Sequence, residues 1–217
     1  MTDRKQLSAL LVEDHELVRD AVGRLLRDTL KLGHVYEADS LAAAMKIANS
    51  DAVINLIVVD LRLPDSAGPE SLTDLIAAFP DAQIAVMSGS EMREDVLGCL
   101  SAGVDGYLPK GLPTTEFVAA IESIIEGGSY IPRHLTRRPT MEVAQSPLRR
   151  DLPGLEHLTP RQIEVLDELM HGQTSKEIAR KLDVAEGTVK IHLAAIYRAL
   201  GVRTRGEAIS KLMSARA

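Results

Sequence analysis

The chain has 217 residues, enough for one or two domains. Aromatic residues make up only 3%, with no Trp, so a core must be built from Leu, Ile, Val, Ala and Met. The single cysteine, Cys99, excludes an intramolecular disulfide framework and a multi-cysteine zinc site, and it fits a reducing, cytoplasmic setting.

The net charge of -6 is divided unevenly. Residues 1–126 carry 10 Lys and Arg against 21 Asp and Glu, or -11; residues 127–217 carry 15 against 10, or +5. An acidic half joined to a basic half points to two domains with different partners, the basic one suited to a polyanion. No apolar run approaches the roughly 20 residues of a membrane span. The first residues, MTDRK, lead into a short apolar stretch that meets Glu13 and Asp14, which reads as no signal peptide.

Strand and helix signals alternate through the first half. SALLV (8–12) is a short apolar run, and residues 15–30 have helical spacing, with Leu17, Val18, Val22, Leu25 and Leu26 on one side. Residues 34–38 form a second strand, and Ser40 caps an Ala-rich helix over 41–49. INLIVV (54–59) is a β-branched strand followed by a Pro/Gly turn over 64–69. A helix over 70–79, a strand over 83–87, a helix over 91–102, a short strand over 106–108 and a helix over 113–126 complete the series. Continuous apolar strands joined by helical crossovers predict an α/β doubly wound five-stranded parallel sheet. Residues 127–157 hold four Pro, three Gly and five Arg without periodicity, a linker with room for a short helix. The rest lacks a strand signal and reads as four helices, over 160–170, 175–182, 186–200 and 204–213. The division is therefore 1–126, 127–157 and 158–217.

The predicted strands end in polar residues: Glu13 and Asp14, then Asp60, then Ser88 and Gly89, and finally Lys110. A parallel sheet puts all these ends on one edge, where ligands bind. Three carboxylates crowded together favour a hard cation such as Mg²⁺, which accepts one or two carboxylates plus water and phosphate. Ser88 and Lys110 suit phosphate oxygens, and Asp60 suits nucleophilic attack on phosphorus.

The segments LLVEDH (10–15), VVDLRLPDSAG (58–68), VMSGS (86–90) and AGVDGYLPKG (102–111) resemble the flavodoxin-like receiver domain of bacterial response regulators, over roughly residues 7–126. The resemblance implies that Glu13 and Asp14 are the metal-binding acidic pair and Asp60 the phosphoacceptor, with the Arg62 carbonyl also reaching Mg²⁺. It implies that Ser88 and Lys110 bind the phosphoryl group, that Gly89 supplies a backbone N–H, and that Tyr107 moves inward with Ser88 as a switch. Arg62 and Gly111 depart from the usual pattern. Arg62 is either a solvated loop charge or a cation that attracts the phosphodonor or shields the acyl phosphate. An enzyme rival, a haloacid-dehalogenase-like phosphatase, needs an acid two residues after the nucleophile, where Arg62 stands.

In TSKEIARKLDVAEGTVKIHLAAIYRAL (174–200), a short amphipathic helix, a tight turn at Asp183-Val184 and a longer helix make a helix-turn-helix. Val189, Leu193, Ile196 and Leu200 form its buried stripe, and Gly187, Lys190, Ile191, Ala194 and Arg198 a small, basic opposite face. Thr174, Ser175 and Thr188 are hydroxyl donors for phosphates at the rim. Residues 158–209 resemble the LuxR-type DNA-binding domain, and the two resemblances together identify the architecture of NarL/FixJ-type response regulators. Gln162, Ala185 and Ala194 depart from common family residues, so base reading is expected to lean on Lys190 and Ile191. The resemblance further implies dimerisation through Ala208, Ile209 and Leu212 of the last helix; packing within the domain is the competing reading.

The spacing of the six histidines fits no metal motif, and Cys99 reads as a small buried hydrophobe. His192 is expected to pack or to touch a phosphate. The expectation is a cytoplasmic transcription regulator, not an enzyme, with a sensor histidine kinase and double-stranded DNA as partners, a homodimer when active and no membrane. Phosphorylation of Asp60 with Mg²⁺ would release the basic domain from the acidic one. The alternative is a phosphorylation-independent DNA binder whose receiver is a docking surface.

Overall fold

The computed structural model describes residues 4–132, 155 and 158–214. The expected linker helix lies outside them. Five parallel strands, β1 (Ser8–Val12), β2 (His34–Ala38), β3 (Leu56–Asp60), β4 (Gln83–Ser88) and β5 (Gly106–Pro109), lie in the order β2-β1-β3-β4-β5. The helices between and after them are α1 (Glu16–Arg24), α2 (Leu41–Ala48), α3 (Leu72–Ala78), α4 (Arg93–Ala102) and α5 (Thr114–Ile125). This is the expected doubly wound architecture.

The period-2 alternation of strand side chains sorts the core into two layers. Leu11, Val58, Ala85, Met87 and Leu108 pack with Val22 and Leu26 of the α1 segment and with Phe117, Ala120, Ile121 and Ile124 of α5. Leu10, Val12, Ile57, Val59, Ile84, Val86 and Tyr107 pack with Leu72 and Leu75 of α3 and with Val96, Cys99 and Leu100 of α4. Cys99 is the buried hydrophobe expected; burial pushes its thiol up to about 12.

Element ends moved by small amounts, for local reasons. The first helix starts at Glu16 because the His15 backbone is extended and its N–H is donated to Glu13 Oε1 at 3.2 Å. Its last turn widens into a π turn over Leu25–Thr29. The third strand begins two residues late because Asn55 is spent below it, its Oδ1 accepting the Ser8 N–H at 2.9 Å. Pro69 at the first position makes a 3-10 turn, Pro69–Ser71, before α3 begins.

The C-terminal segment holds α6 (Pro160–Met170), α7 (Ser175–Lys181), α8 (Glu186–Leu200) and α9 (Arg205–Ser214). Thr159 with Gln162 and Thr174 with Glu177 close capping boxes at the starts of α6 and α7. Gln162, a departure from the usual residue, closes its box fully. Asp183 takes φ 53° in the turn, a conformation that Asp tolerates through its short polar side chain, and Gly201 ends α8 at φ 65°. The apolar layer carrying α3 and α4 continues into Val165, Leu166, Leu169, Ile196, Leu200, Ile209 and Leu212, because α9 lies along α4. Among the described residues no helix is long and apolar enough to cross a membrane.

Candidate functional site

The carboxyl edge of the sheet gathers the residues the strand ends predict. Beyond β1, the Glu13 N–H donates to the Ala38 carbonyl of β2 at 3.0 Å, which drives its side chain fully into the edge (0% exposed). Asp60 closes β3 at 2% exposed. Its Oδ1 accepts the Arg62 backbone N–H at 3.1 Å. Lys110 is tied at its backbone to the Ser88 carbonyl at 2.8 Å, so its side chain crosses the edge. Its ammonium lies 2.9 Å from Asp60 Oδ2 and 2.8 Å from Glu13 Oε2. Burial pulls the Lys110 ammonium down, and the hydrogen bonds to Glu13 and Asp60 outweigh it, leaving the group above its ordinary value.

Asp14 and His15 extend the cluster. His15 Nδ1 lies 3.0 Å from Glu13 Oε1 and 2.9 Å from Asp14 Oδ1. One ligand atom from each of Glu13, Asp14, His15 and Asp60 falls within 4.8 Å of the others. Glu13 Oε2 and Asp14 Oδ1 are buried and accept no well-aligned hydrogen bond. Buried carboxylate oxygens crowded within reach of one another are the arrangement a hard cation completes, so these residues fit a divalent metal.

The remaining edge residues occupy the second layer of the site. Ser88 is fully buried, and its Oγ accepts the Ser90 N–H at 3.1 Å. Gly89 is exposed, and a Cβ there would meet nothing within 4 Å. Tyr107 is 0% exposed, with its hydroxyl donating to the Ser90 carbonyl at 2.7 Å, an acceptor that satisfies the phenol inside the protein. Burial pushes the phenol up to about 12, so it stays protonated as a donor. Arg62 is not simply solvated: its guanidinium, 67% exposed, reaches Asp95 Oδ2 in the first turn of α4 at 3.3 Å.

In the C-terminal segment the helix-turn-helix presents the expected face. Gly187, Lys190, Ile191, Ala194 and Arg198 are all exposed on α8, with Ile191 at 71%, while Val189, Leu193, Ile196 and Leu200 are buried. An isoleucine that exposed opposite a filled stripe is suited to contact with another molecule.

The response regulator receiver domain family matches residues 9–122, and the family of bacterial regulatory proteins, luxR family, matches residues 156–212. The glycerol metabolism activator of Pseudomonas putida is 32% identical over 203 residues, 92% of each chain. The nitrate/nitrite response regulator protein NarL of Escherichia coli (strain K12) is 30% identical over 210 residues, 96% of this chain and 95% of that protein. The solved structure of the two-component response regulator RcsB in complex with DNA is 21% identical and covers 96% of this chain and 98% of its own at a TM-score of 0.53, a likeness of fold. The chain is a response regulator of the NarL/FixJ type. Its family comprises transcription regulators, not enzymes beyond their own phosphotransfer.

One expected contact changes in the response regulator's structure. Thr174 is not offered at the rim. It is 2% exposed, and its hydroxyl donates to Glu177 Oε2 and accepts the Glu177 N–H, because the capping box consumes it. Ser175 and Thr188 keep partial exposure. Ala208, Ile209 and Leu212 are all 0% exposed and pack inside the chain. The spacing of the histidines fits no metal motif, and His15 stands in the acidic cluster through its place beside the Glu13-Asp14 pair. His192 is half-buried beside the stripe, as expected of a packing residue.

Sequence reasoning also missed Arg19, Asp95 and Arg205. Arg19 donates to the Glu13 carbonyl at 2.7 Å and braces the acidic turn. Its position four residues after His15, on the first turns of α1, was the available clue.

Proposed function

We propose that this response regulator is a cytoplasmic, phosphorylation-controlled transcription regulator, with a receiver over residues 1–126, a linker over 127–157 and a DNA-binding domain over 158–217. The observation that carries it is the buried Asp60 carboxylate held by the Lys110 ammonium at 2.9 Å beside Glu13. A sensor histidine kinase is the phosphodonor. The nitrogen–phosphorus bond of its phosphohistidine breaks as an Asp60 oxygen bonds to phosphorus. Lys110 stays against the oxygens that carry the new charge, and the Gly89 N–H and Ser88 Oγ serve the others.

Glu13, Asp14, Asp60 and the Arg62 carbonyl would hold Mg²⁺, which supplies charge neutralisation for phosphoryl transfer when bound. Ser88 turns toward the phosphoryl group. That turn releases the Ser90 N–H and shifts the loop to which the Tyr107 hydroxyl is fastened, so phosphorylation biases an existing equilibrium. DNA is bound as a homodimer. Lys190 and Ile191 of α8 face the major groove, Ala194 and Arg198 lie beside them, and Ser175 and Thr188 hold phosphates. Ala208, Ile209 and Leu212 belong to the helix that pairs.

The test is intact-protein mass after incubation with a small-molecule phosphodonor and Mg²⁺. One phosphoryl group is expected on the wild type and none on Asp60→Asn, with tighter DNA binding by the phosphorylated form. Equal DNA affinity for wild type, phosphorylated or not, and Asp60→Asn would instead mark a phosphorylation-independent DNA binder.

A further inference from the structure

The receiver resemblance furnishes the cation site with oxygen donors alone: Glu13, Asp14, Asp60 and the Arg62 carbonyl. The structure adds a nitrogen. His15 follows the acidic pair, and its Nδ1 lies 3.0 Å from Glu13 Oε1 and 2.9 Å from Asp14 Oδ1. The four ligand atoms that fall within 4.8 Å of one another are three carboxylate oxygens, from Glu13, Asp14 and Asp60, and this imidazole nitrogen.

The local backbone fixes the ring where it is. His15 is extended, at φ -77° and ψ 109°, where the chain turns from β1 into α1, and its N–H donates to Glu13 Oε1 at 3.2 Å. Arg19 braces the same turn. Its guanidinium donates to the Glu13 and Asp14 carbonyls at 2.7 and 3.4 Å, and its N–H donates to the His15 carbonyl at 2.9 Å. Glu13, 0% exposed, is divided between two neighbours: Oε2 faces the Lys110 ammonium at 2.8 Å, and Oε1 faces His15. The ammonium holds one side of the cluster and the imidazole the other.

Simpler duties do not account for a histidine here. It stands at the N-cap of α1 but makes no side-chain cap bond, and Ser, Thr, Asn or Asp would cap better. Its side chain is 65% exposed, so an ion pair with a carboxylate adds little to stability. The same exposure lets Nε2 carry the ring proton toward water while Nδ1 meets a metal.

We infer that His15 Nδ1 is a ligand of the divalent cation, and that this receiver therefore takes Co²⁺, Ni²⁺ or Zn²⁺ in preference to Mg²⁺. The inference rests on the acidic edge being the cation site and deepens that reading. Mg²⁺ is hard, keeps its waters and gains little from an imidazole. The later first-row ions bind imidazole well, and their affinity for mixed nitrogen and oxygen sites exceeds that of the earlier ones. Carboxylates accept all of these ions, so position 15 sets the choice among them. Mg²⁺ still binds through the oxygens, more weakly.

Co²⁺ is the probe, because its unpaired electrons shift the protons of a bound imidazole far outside the ordinary proton NMR range. The full chain is compared as wild type, His15→Asn and Asp60→Asn. Asn keeps an oxygen donor at position 15 and is a favourable N-cap, so the fold is retained. With one equivalent of Co²⁺ the wild type is expected to show shifted imidazole signals and His15→Asn none. By calorimetry the wild type should bind Co²⁺ more tightly than Mg²⁺. His15→Asn should weaken Co²⁺ about tenfold or more and change Mg²⁺ by less than about twofold.

Shifted signals that persist in His15→Asn overturn the nitrogen ligand, as does an equal loss of affinity for the two ions. A wild type that binds Co²⁺ no more tightly than Mg²⁺ overturns the preference. Asp60→Asn is expected to weaken both ions. If it weakens neither, the cation is not at the sheet edge, and the reading on which the inference rests falls with it.

Discussion

Lys110 neutralises two carboxylates that the sheet edge has removed from water, and truncating it to Met tests how much of the fold depends on that. Glu13 and Asp60 are 0% and 2% exposed, and the ammonium lies 2.8 and 2.9 Å from them. At an effective dielectric constant of about 20, each pair is worth about 6 kcal/mol of raw attraction, most of it spent on desolvating the three groups. Breaking a buried pair typically costs about 3–5 kcal/mol, and the Lys110 side chain is 25% exposed, so the low end applies. Lys110→Met is expected to cost about 3 kcal/mol in metal-free buffer, read by urea unfolding followed by far-UV circular dichroism. Asp60→Asn keeps an oxygen for the Arg62 N–H and removes one of the crowded charges, so alone it is expected to change stability by less than about 1 kcal/mol. In that background only Glu13 remains to be stranded, and Lys110→Met should cost only about half as much, a coupling of about 1–2 kcal/mol. Added Mg²⁺ should shrink the single-mutant deficit, since a cation at the acidic cluster relieves the same repulsion. A cost below about 1 kcal/mol, or an equal cost in the two backgrounds, refutes the reasoning.

Asp105 is pushed up to about 6, first by burial, against the Ile84 N–H and the Arg205 charge, which pull it down. A carboxyl raised in the folded state binds its proton before the unfolded chain does, so its contribution is full below the unfolded value near 3.8 and is lost as pH rises through 6. The fold should gain about 1.3 kcal/mol from this group between pH 7 and pH 5; Asp105→Asn, which keeps the acceptor for Ile84, should lose that share of the slope in urea titrations at the two pH values. Arg62→Ala should still accept one phosphoryl group by mass, and the time course of its loss should change severalfold if the guanidinium guards the acyl phosphate; an unaltered half-life assigns Arg62 to Asp95 alone. Lys190→Ala should lower DNA affinity and reduce the slope of log affinity against log salt by about 1 if the ammonium neutralises a phosphate, and leave that slope unchanged if it reads a base edge without doing so.

The strand-end cluster was legible because one rule, that parallel strands point the same way, converts four separated polar residues into one site. Glu13, Asp60, Ser88 and Lys110 needed no knowledge of loops. The helix-turn-helix face was legible for a similar reason: a 3.6-residue period fixes which side of α8 is filled, and Ile191 fell opposite the stripe. Thr174 shows where this stops. A hydroxyl at a helix start suits a phosphate and a cap equally, and Glu177, three residues on, had already claimed it. The partner of the Tyr107 hydroxyl was not legible, because its acceptor is a backbone carbonyl, Ser90, which carries no sequence signal. The α9 contacts were out of reach altogether, since Ser101 and Ser210 are 109 residues apart and Arg93 meets a carbonyl. Gly206 alone left a trace, a glycine inside a helix with no turn to justify it.

The helix that α9 lies along is itself held, in its first turn, by the loop of the phosphoacceptor. Asp95 in the first turn of α4 pairs with Arg62, whose own N–H is fastened to Asp60 Oδ1, so α4 is tethered to the acceptor by two hydrogen bonds in series. The outer tether is weak. A single N–H at 3.3 Å on a mostly exposed guanidinium is worth up to about 1 kcal/mol.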